Sequence, residues 1–208
     1  MRCFSALLRF RPLAFLNALA LLAIAGALPS CSFGNSGHRV PTVPDVQTSL
    51  APFEEVHTDW KQRLETPYVY LEMQGSYAEV GSFLPSLLDH CRAQGIKPAG
   101  PPFGLFYDDP LRVPAAELRS RLCLPVHQLE AVAEPLGFDL LPSADVAYAR
   151  VAGPYPEVPK SYPGVFDYLR EHSWVLEPPI REIYLVDPGQ VQSFDQLITE
   201  VQMPWRAL

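Results

Sequence analysis

Gly75-Ser76-Tyr77-Ala78-Glu79-Val80 returns, 78 residues further on, as Gly153-Pro154-Tyr155-Pro156-Glu157-Val158. The register holds without a gap for about forty residues: Tyr70 aligns with Tyr148, Pro85 with Pro163, Asp89 with Asp167, Arg92 with Arg170 and Pro101 with Pro179. Asp109-Pro110 and Asp187-Pro188 close the two spans. Chance matches rarely stay in step over such a distance, so the chain carries a duplicated unit.

Outward from that stretch, each copy reads as strand, helix, strand, strand. In the first, 68–73 is β-branched and aromatic and predicts a strand ending at Gly75. Phe83, Leu87, Leu88 and Cys91 fall at helical spacing and predict a helix over 81–94, stopped by Gly95. The apolar run 103–107, closed by Asp108-Asp109-Pro110, and the alternation in 117–126 predict two more strands. The second copy repeats the plan, with strands at 146–151, 180–186 and 196–203 and a helix at 162–172 striped by Val165, Phe166 and Leu169. Between the copies, 128–137 reads as a short helix and 138–141 as an extended piece. Before them, 53–65 reads as a short strand or irregular lead-in, although Phe53, Val56, Trp60 and Leu64 also fit helical spacing. One copy alone is too small to bury a core. The expected fold is therefore α+β. Two strand-helix-strand-strand units, one over 66–126 and one over 144–205, form one antiparallel sheet with two main helices on one face and a groove at the pseudo-two-fold.

The 208 residues are 48% hydrophobic and 19% charged with 23 prolines, which suits one packed globule of short elements. The net charge is −7, and the first thirty residues hold three arginines and no acid, so the rest is more acidic still. An acidic body repels phosphate backbones, and no nucleic acid partner is expected. The N-terminus reads as an export signal over 1–30: a basic start, an apolar run over 13–27, then Leu28-Pro29-Ser30-Cys31. That run is shorter than the roughly twenty residues of a membrane span. Cys31 after a small residue resembles the lipobox of bacterial lipoproteins. The resemblance implies cleavage before Cys31, diacylglycerol on its thiol and a lipid anchor on the periplasmic side of the cell envelope. Ser32 behind the cysteine suits the outer membrane. A plain signal peptide and an uncleaved anchor are the alternatives. Residues 31–52, with Pro41, Pro44 and Pro52 and no apolar period, read as a flexible tether, and the folded domain then spans 53–208.

One position breaks the repeat. Glu182 aligns with Gly104, while the flanking pairs stay apolar: Leu105 with Ile183 and Phe106 with Tyr184. A carboxylate in an apolar strand, where the sister copy has no side chain, marks a candidate functional site. Strand alternation puts Ile180, Glu182, Tyr184 and Val186 on one face. A buried carboxyl there should have a raised pKa and seek a cation. The other reading is a glutamate paired with a nearby arginine at a sheet edge. Tyr184 reads as a group that orients a ligand or donates a proton, or else as a plain aromatic. Tyr70, Phe106, Tyr148 and Trp174 read as groove walls, or as ordinary core. Tyr77 and Tyr155, each repeating with its glycine, read as structural turns, with Glu79 and Glu157 as helix-start charges.

The GxYxEV start, Arg181-Glu182-Ile183-Tyr184-Leu185 with Asp187-Pro188, and the closing Thr199-Glu200-Val201-Gln202-Met203-Pro204 together resemble the GyrI-like family. This is the effector-binding domain that follows the DNA-binding part of some AraC-type and MerR-type multidrug regulators. The resemblance covers about 66–205 and implies a groove for apolar, often cationic or aromatic ligands, with a glutamate at its floor that falls on Glu182. Some relatives open strained cyclopropane rings, which implies a hydrolase alternative in which Glu182 activates water and Tyr184 assists protonation. The chain departs from the regulators in its export signal and in showing no helix-turn-helix pattern. A third reading is an envelope scaffold whose groove meets a protein. No paired CxxC and no histidine cluster occur, so neither metal nor cofactor is expected. His90 and Cys91 point apart on the expected helix. Cys91 and Cys123 read as buried free thiols, with a disulfide as the alternative that export would permit.

Overall fold

A computed structural model describes residues 46–128 and 131–208. The export signal, Cys31 and most of the tether lie outside the described residues. Among the described residues no helix is long and apolar enough to cross a membrane.

The first copy consists of β3 (Thr66–Gln74), α1 (Leu84–Ala93), β4 (Phe103–Phe106) and β5 (Arg119–Pro125). The second consists of β7 (Ala144–Ala152), α2 (Tyr162–Glu171), β9 (Ile180–Tyr184) and β10 (Ile198–Ala207). Around them lie β1 (Thr48–Leu50), β2 (Thr58–Arg63), β6 (Gly137–Leu141) and β8 (Trp174–Leu176). All ten strands join one sheet in the order β1-β7-β10-β9-β4-β5-β3-β6, with β2 also on β7 and β8 also on β10. Every ladder is antiparallel except that between β1 and β7.

The duplication is visible down to single hydrogen bonds. Gly75 and Gly153 end their strands at φ +133° and +144°, a backbone state that side chains disfavour. Gly75 N donates to Leu118 O and Gly153 N to Leu197 O, both at 2.9 Å. A short 3-10 helix follows each glycine, Tyr77–Phe83 and Tyr155–Ser161, and runs into its α-helix. The helix expected over 81–94 is therefore two elements. α1 starts at Leu84, and Leu84, Leu87 and Cys91 are buried while Phe83, at its N-cap, is exposed. On α2, Val165 and Leu169 are buried and Phe166 is exposed, one position off the stripe.

Other differences are local. Thr48–Leu50, inside the expected tether, pairs with β7, and Val46 is buried, so the folded body begins before residue 53. The lead-in is the strand β2. No helix forms among the described residues of 128–137. There the Gln94 amide brackets the Ala133 backbone, donating to its carbonyl and accepting from its N–H at 2.8 Å each, and so takes partners a helix would have used. The last strand runs on to Ala207 because β8, which periodicity over three residues does not reveal, offers it a second partner.

The copies meet along β4 and β9, paired Phe103–Ile183, Gly104–Glu182 and Leu105–Arg181. At the repeat offset these pairs map onto one another, so the pseudo-two-fold axis passes between Gly104 and Glu182. Both helices pack on one face: Leu84, Leu87 and Cys91 with Val69, Leu122 and Phe106 in the first copy, Val165 and Leu169 with Ala147, Val151 and Val201 in the second. The other face has no helix among the described residues, yet Tyr148, Phe103, Leu105 and Cys123 on it are wholly buried. Topology explains this. β6 ends one side of the sheet and β7 lies near the other, but only Pro142 and Ser143 connect them. The sheet must curl to bring those ends together, and its helix-free face becomes the concave lining of the curl. Cys91 and Cys123 are free and buried, one on the inner side of α1 and one on the concave face, so the sheet itself keeps them from bonding.

Candidate functional site

Glu182 sits at the centre of β9 on the face that carries the helices. Its neighbours across the two ladders are Gly104 and Val201. It is 4% exposed. The Tyr162 hydroxyl, at the start of α2, donates to Glu182 Oε1 at 2.7 Å. Tyr184, two residues along β9, supplies a second hydroxyl. Burial lifts the Glu182 carboxyl to about 7, and the two phenol bonds pull part of the way back. No ion pair reaches Glu182 among the described residues. Burial first, and the adjoining carboxylate second, push both tyrosines well above the ordinary phenol range, so they remain donors.

The space Gly104 leaves is used. A Cβ there would lie 2.9 Å from the Phe106 ring and 2.9 Å from the Tyr184 hydroxyl. Two aromatic pairs flank the axis, Tyr77 on Phe106 at 4.9 Å and Tyr155 on Tyr184 at 4.5 Å between centroids. The Tyr77 hydroxyl is pinned, accepting from Asp108 N at 2.9 Å and donating to Arg119 O at 3.0 Å. The Tyr155 hydroxyl has a longer bond, donating to Val186 O at 3.5 Å.

Tyr155 also lines a groove of about 500 Å³ between the copies. Leu84, Pro85 and Leu88 of the first copy form one wall; Pro156, Pro188 and Phe194 of the second form the other. Glu182 does not line this groove; it lies deeper, with the Tyr155 and Tyr184 rings in sequence between them. A second cavity of about 570 Å³, between the lead-in and α2, is bordered by Glu54, Glu55, Asp59, Asp167 and Glu171 and shares no residue with the groove.

Of the residues singled out in the sequence, Glu182, Tyr184 and Phe106 come together. Tyr70 and Tyr148 do not: both lie on the concave face, because strand alternation in β3 and β7 turns them away from the helices. Each already carries a cation of the chain, Arg121 over Tyr70 and Lys61 over Tyr148, both at 4.0 Å. Trp174 is remote as well, stacked on Trp205 at 3.6 Å and edge-on to Trp60. Tyr155, expected as a plain turn residue, and Tyr162 join the site instead. The repeat carries the signal for Tyr162, whose partner in the first copy is Leu84. The carboxyl and the two phenols bonded to it thus lie in the second copy, opposite Gly104, Leu84 and Phe106. Replacing Tyr162 with Phe removes a bond to the ionised form, so the Glu182 pKa should rise further, which carboxyl NMR titration reads directly.

Residues 60–206 match the family described as the GyrI-like small molecule binding domain. No curated protein sequence gives a significant match. Among solved structures, the EcmrR C-terminal domain superposes with a TM-score of 0.66 at 15% identity, over 74% of this chain and 99% of that one. EcmrR in a DNA complex gives the same score and identity, but there the match covers 73% of this chain and 58% of that one. SAV2435 bound to tetraphenylphosphonium superposes at 0.50 and 14% identity, over 72% and 94% of the two chains. A hydrolase encoded by lin2189 from Listeria innocua superposes at 0.51 and 10% identity, over 77% and 100%. At these identities the likeness is one of fold.

Proposed function

Because the chain belongs to the GyrI-like small molecule binding domain family, we propose that it captures apolar, aromatic or cationic amphiphiles in the groove between its two copies, with Glu182 as the selecting charge. The observation that carries this reading is the Glu182 carboxyl itself, buried, bonded to phenols and lacking a cation. A lipophilic cation that displaces the Tyr155 and Tyr184 rings would reach that carboxyl across a wall of aromatic faces. Cation–π contact adds about 0.5–2 kcal/mol in such surroundings. That SAV2435 binds tetraphenylphosphonium on the same fold supports the choice of ligand class. Export and acylation at Cys31 complete the proposal, holding the groove outside the cytoplasm at a membrane surface where amphiphiles collect.

Titration with tetraphenylphosphonium tests it. Binding should saturate and should weaken about tenfold or more in Glu182→Gln, which keeps the shape and removes the charge. Equal affinity in both proteins would defeat the reading. A second reading, hydrolysis in the same groove, gains from the structure a second phenol beside the carboxyl. Glu182 titrating near neutrality, with Tyr162 and Tyr184 on either side, has the makeup of a general acid–base group. Turnover of an ester or strained-ring probe that vanishes in Glu182→Gln would decide for it.

A further inference from the structure

The concave face holds two arginines that form no ion pair among the described residues. Arg63 ends β2 and Arg181 lies on β9, and they are 7% and 6% exposed. Arg63 Nη2 donates to Pro142 O at 3.0 Å. Its Nε and Nη1, and Nε of Arg181, have no acceptor among the described residues. The Arg181 guanidinium covers the Phe103 ring at 3.9 Å, which fills one side of its plane. Beside it, the Gln202 side-chain oxygen also lacks a partner, and Gln202 is the residue paired with Arg181 on β10.

Glu200, whose charge acts on Arg181, is already engaged. Glu200 accepts from Lys61 at 2.5 Å, from Arg150 at 3.3 Å and from Gln202 at 2.7 Å. Burial, and then the charge of Arg63, lower the Arg181 pKa to about 10, which leaves Arg181 charged at neutral pH, and burial lowers Arg63 as well. Two buried like charges with idle donors are a costly arrangement for folding alone. The chain as a whole carries −7, so this local excess of positive charge runs against its surroundings. Guanidinium donors are forked to meet two oxygens of one group.

We propose that Arg63 and Arg181 form a second binding site, on the concave face, for a small oxyanion: the phosphate or carboxylate group of a ligand. It is separated from Glu182 by the thickness of the sheet and does not depend on the groove's occupant.

Thermal unfolding of the full chain at fixed ionic strength tests this, with chloride exchanged for inorganic phosphate in one series and for acetate in another. One or both anions should raise Tm by about 2–4 °C at concentrations well above Kd. Phosphate alone assigns a phosphate group, and acetate alone a carboxylate. Arg181→Met should remove the response and be at least as stable as wild type in chloride, since an unpaired buried charge is gone. Arg63→Met supplies the same comparison should Arg181→Met fail to fold, and Glu182→Gln should keep the response. A wild-type Tm indifferent to both anions overturns the proposal. So does a response that survives in the arginine variants.

Discussion

Between about pH 4.5 and pH 7 the wild-type chain should lose roughly 3 kcal/mol of stability that Glu182→Gln does not lose. The ordinary glutamate value is 4.5, and burial raises Glu182 to about 7 in the folded state. Below the lower value both states hold the proton and the carboxyl is neutral either way. Between the two values the unfolded chain releases its proton and the folded chain cannot, so unfolding gains. Above the folded value both forms are ionised and the penalty stays constant. The sign is therefore opposite to that of Glu200, whose lowered pKa, which its Lys61, Gln202 and Arg150 partners produce against burial, contributes stability that is lost as pH falls. Urea unfolding of wild type and variant at half-unit pH steps isolates Glu182, because every other group cancels in the difference. A flat difference would mean that the carboxyl is already hydrated.

Gly104→Glu should be worse, by about 4 kcal/mol at alkaline pH and less at acid pH. The substitution makes the copies match in sequence, yet it places two carboxyls at directly opposed strand positions on the axis. Residues so opposed sit about 5 Å apart. The new Cβ meets the Phe106 ring and the Tyr184 hydroxyl at once. Gly104→Ala makes the same collision without the charge, and should cost about 2 kcal/mol with no added pH dependence. The contrast separates crowding from repulsion.

The repeat made the fold legible, because an offset that spans strand, helix and strand carries element order and pairing with it. It also exposed Glu182, since comparing sister positions finds a carboxyl where its twin has hydrogen. The same comparison at Leu84 and Tyr162 holds the third member of the site, but a tyrosine in place of a leucine breaks no apolar pattern and so draws no notice. Tyr70 and Tyr148 match between copies, which does not tell framework from site, and they lie on the opposite face of the sheet from Glu182. Alternation assigns side chains to two faces without saying which will be concave. That depends on the two-residue join at Pro142-Ser143, whose meaning appears only once β6 and β7 are known to lie far apart along the sheet. β1 and β8 are too short to leave a period at all.

The place of Glu182 has a consequence for how such a chain arises. Two identical subunits meeting on a dyad contribute every axial residue twice, so a symmetric dimer can set two acids there or none. An odd charge at the centre needs halves free to diverge, which a single gene encoding both provides. A guest ion held by that charge must then settle off-centre, toward the half that owns the acid, and can present only one of its ends to it.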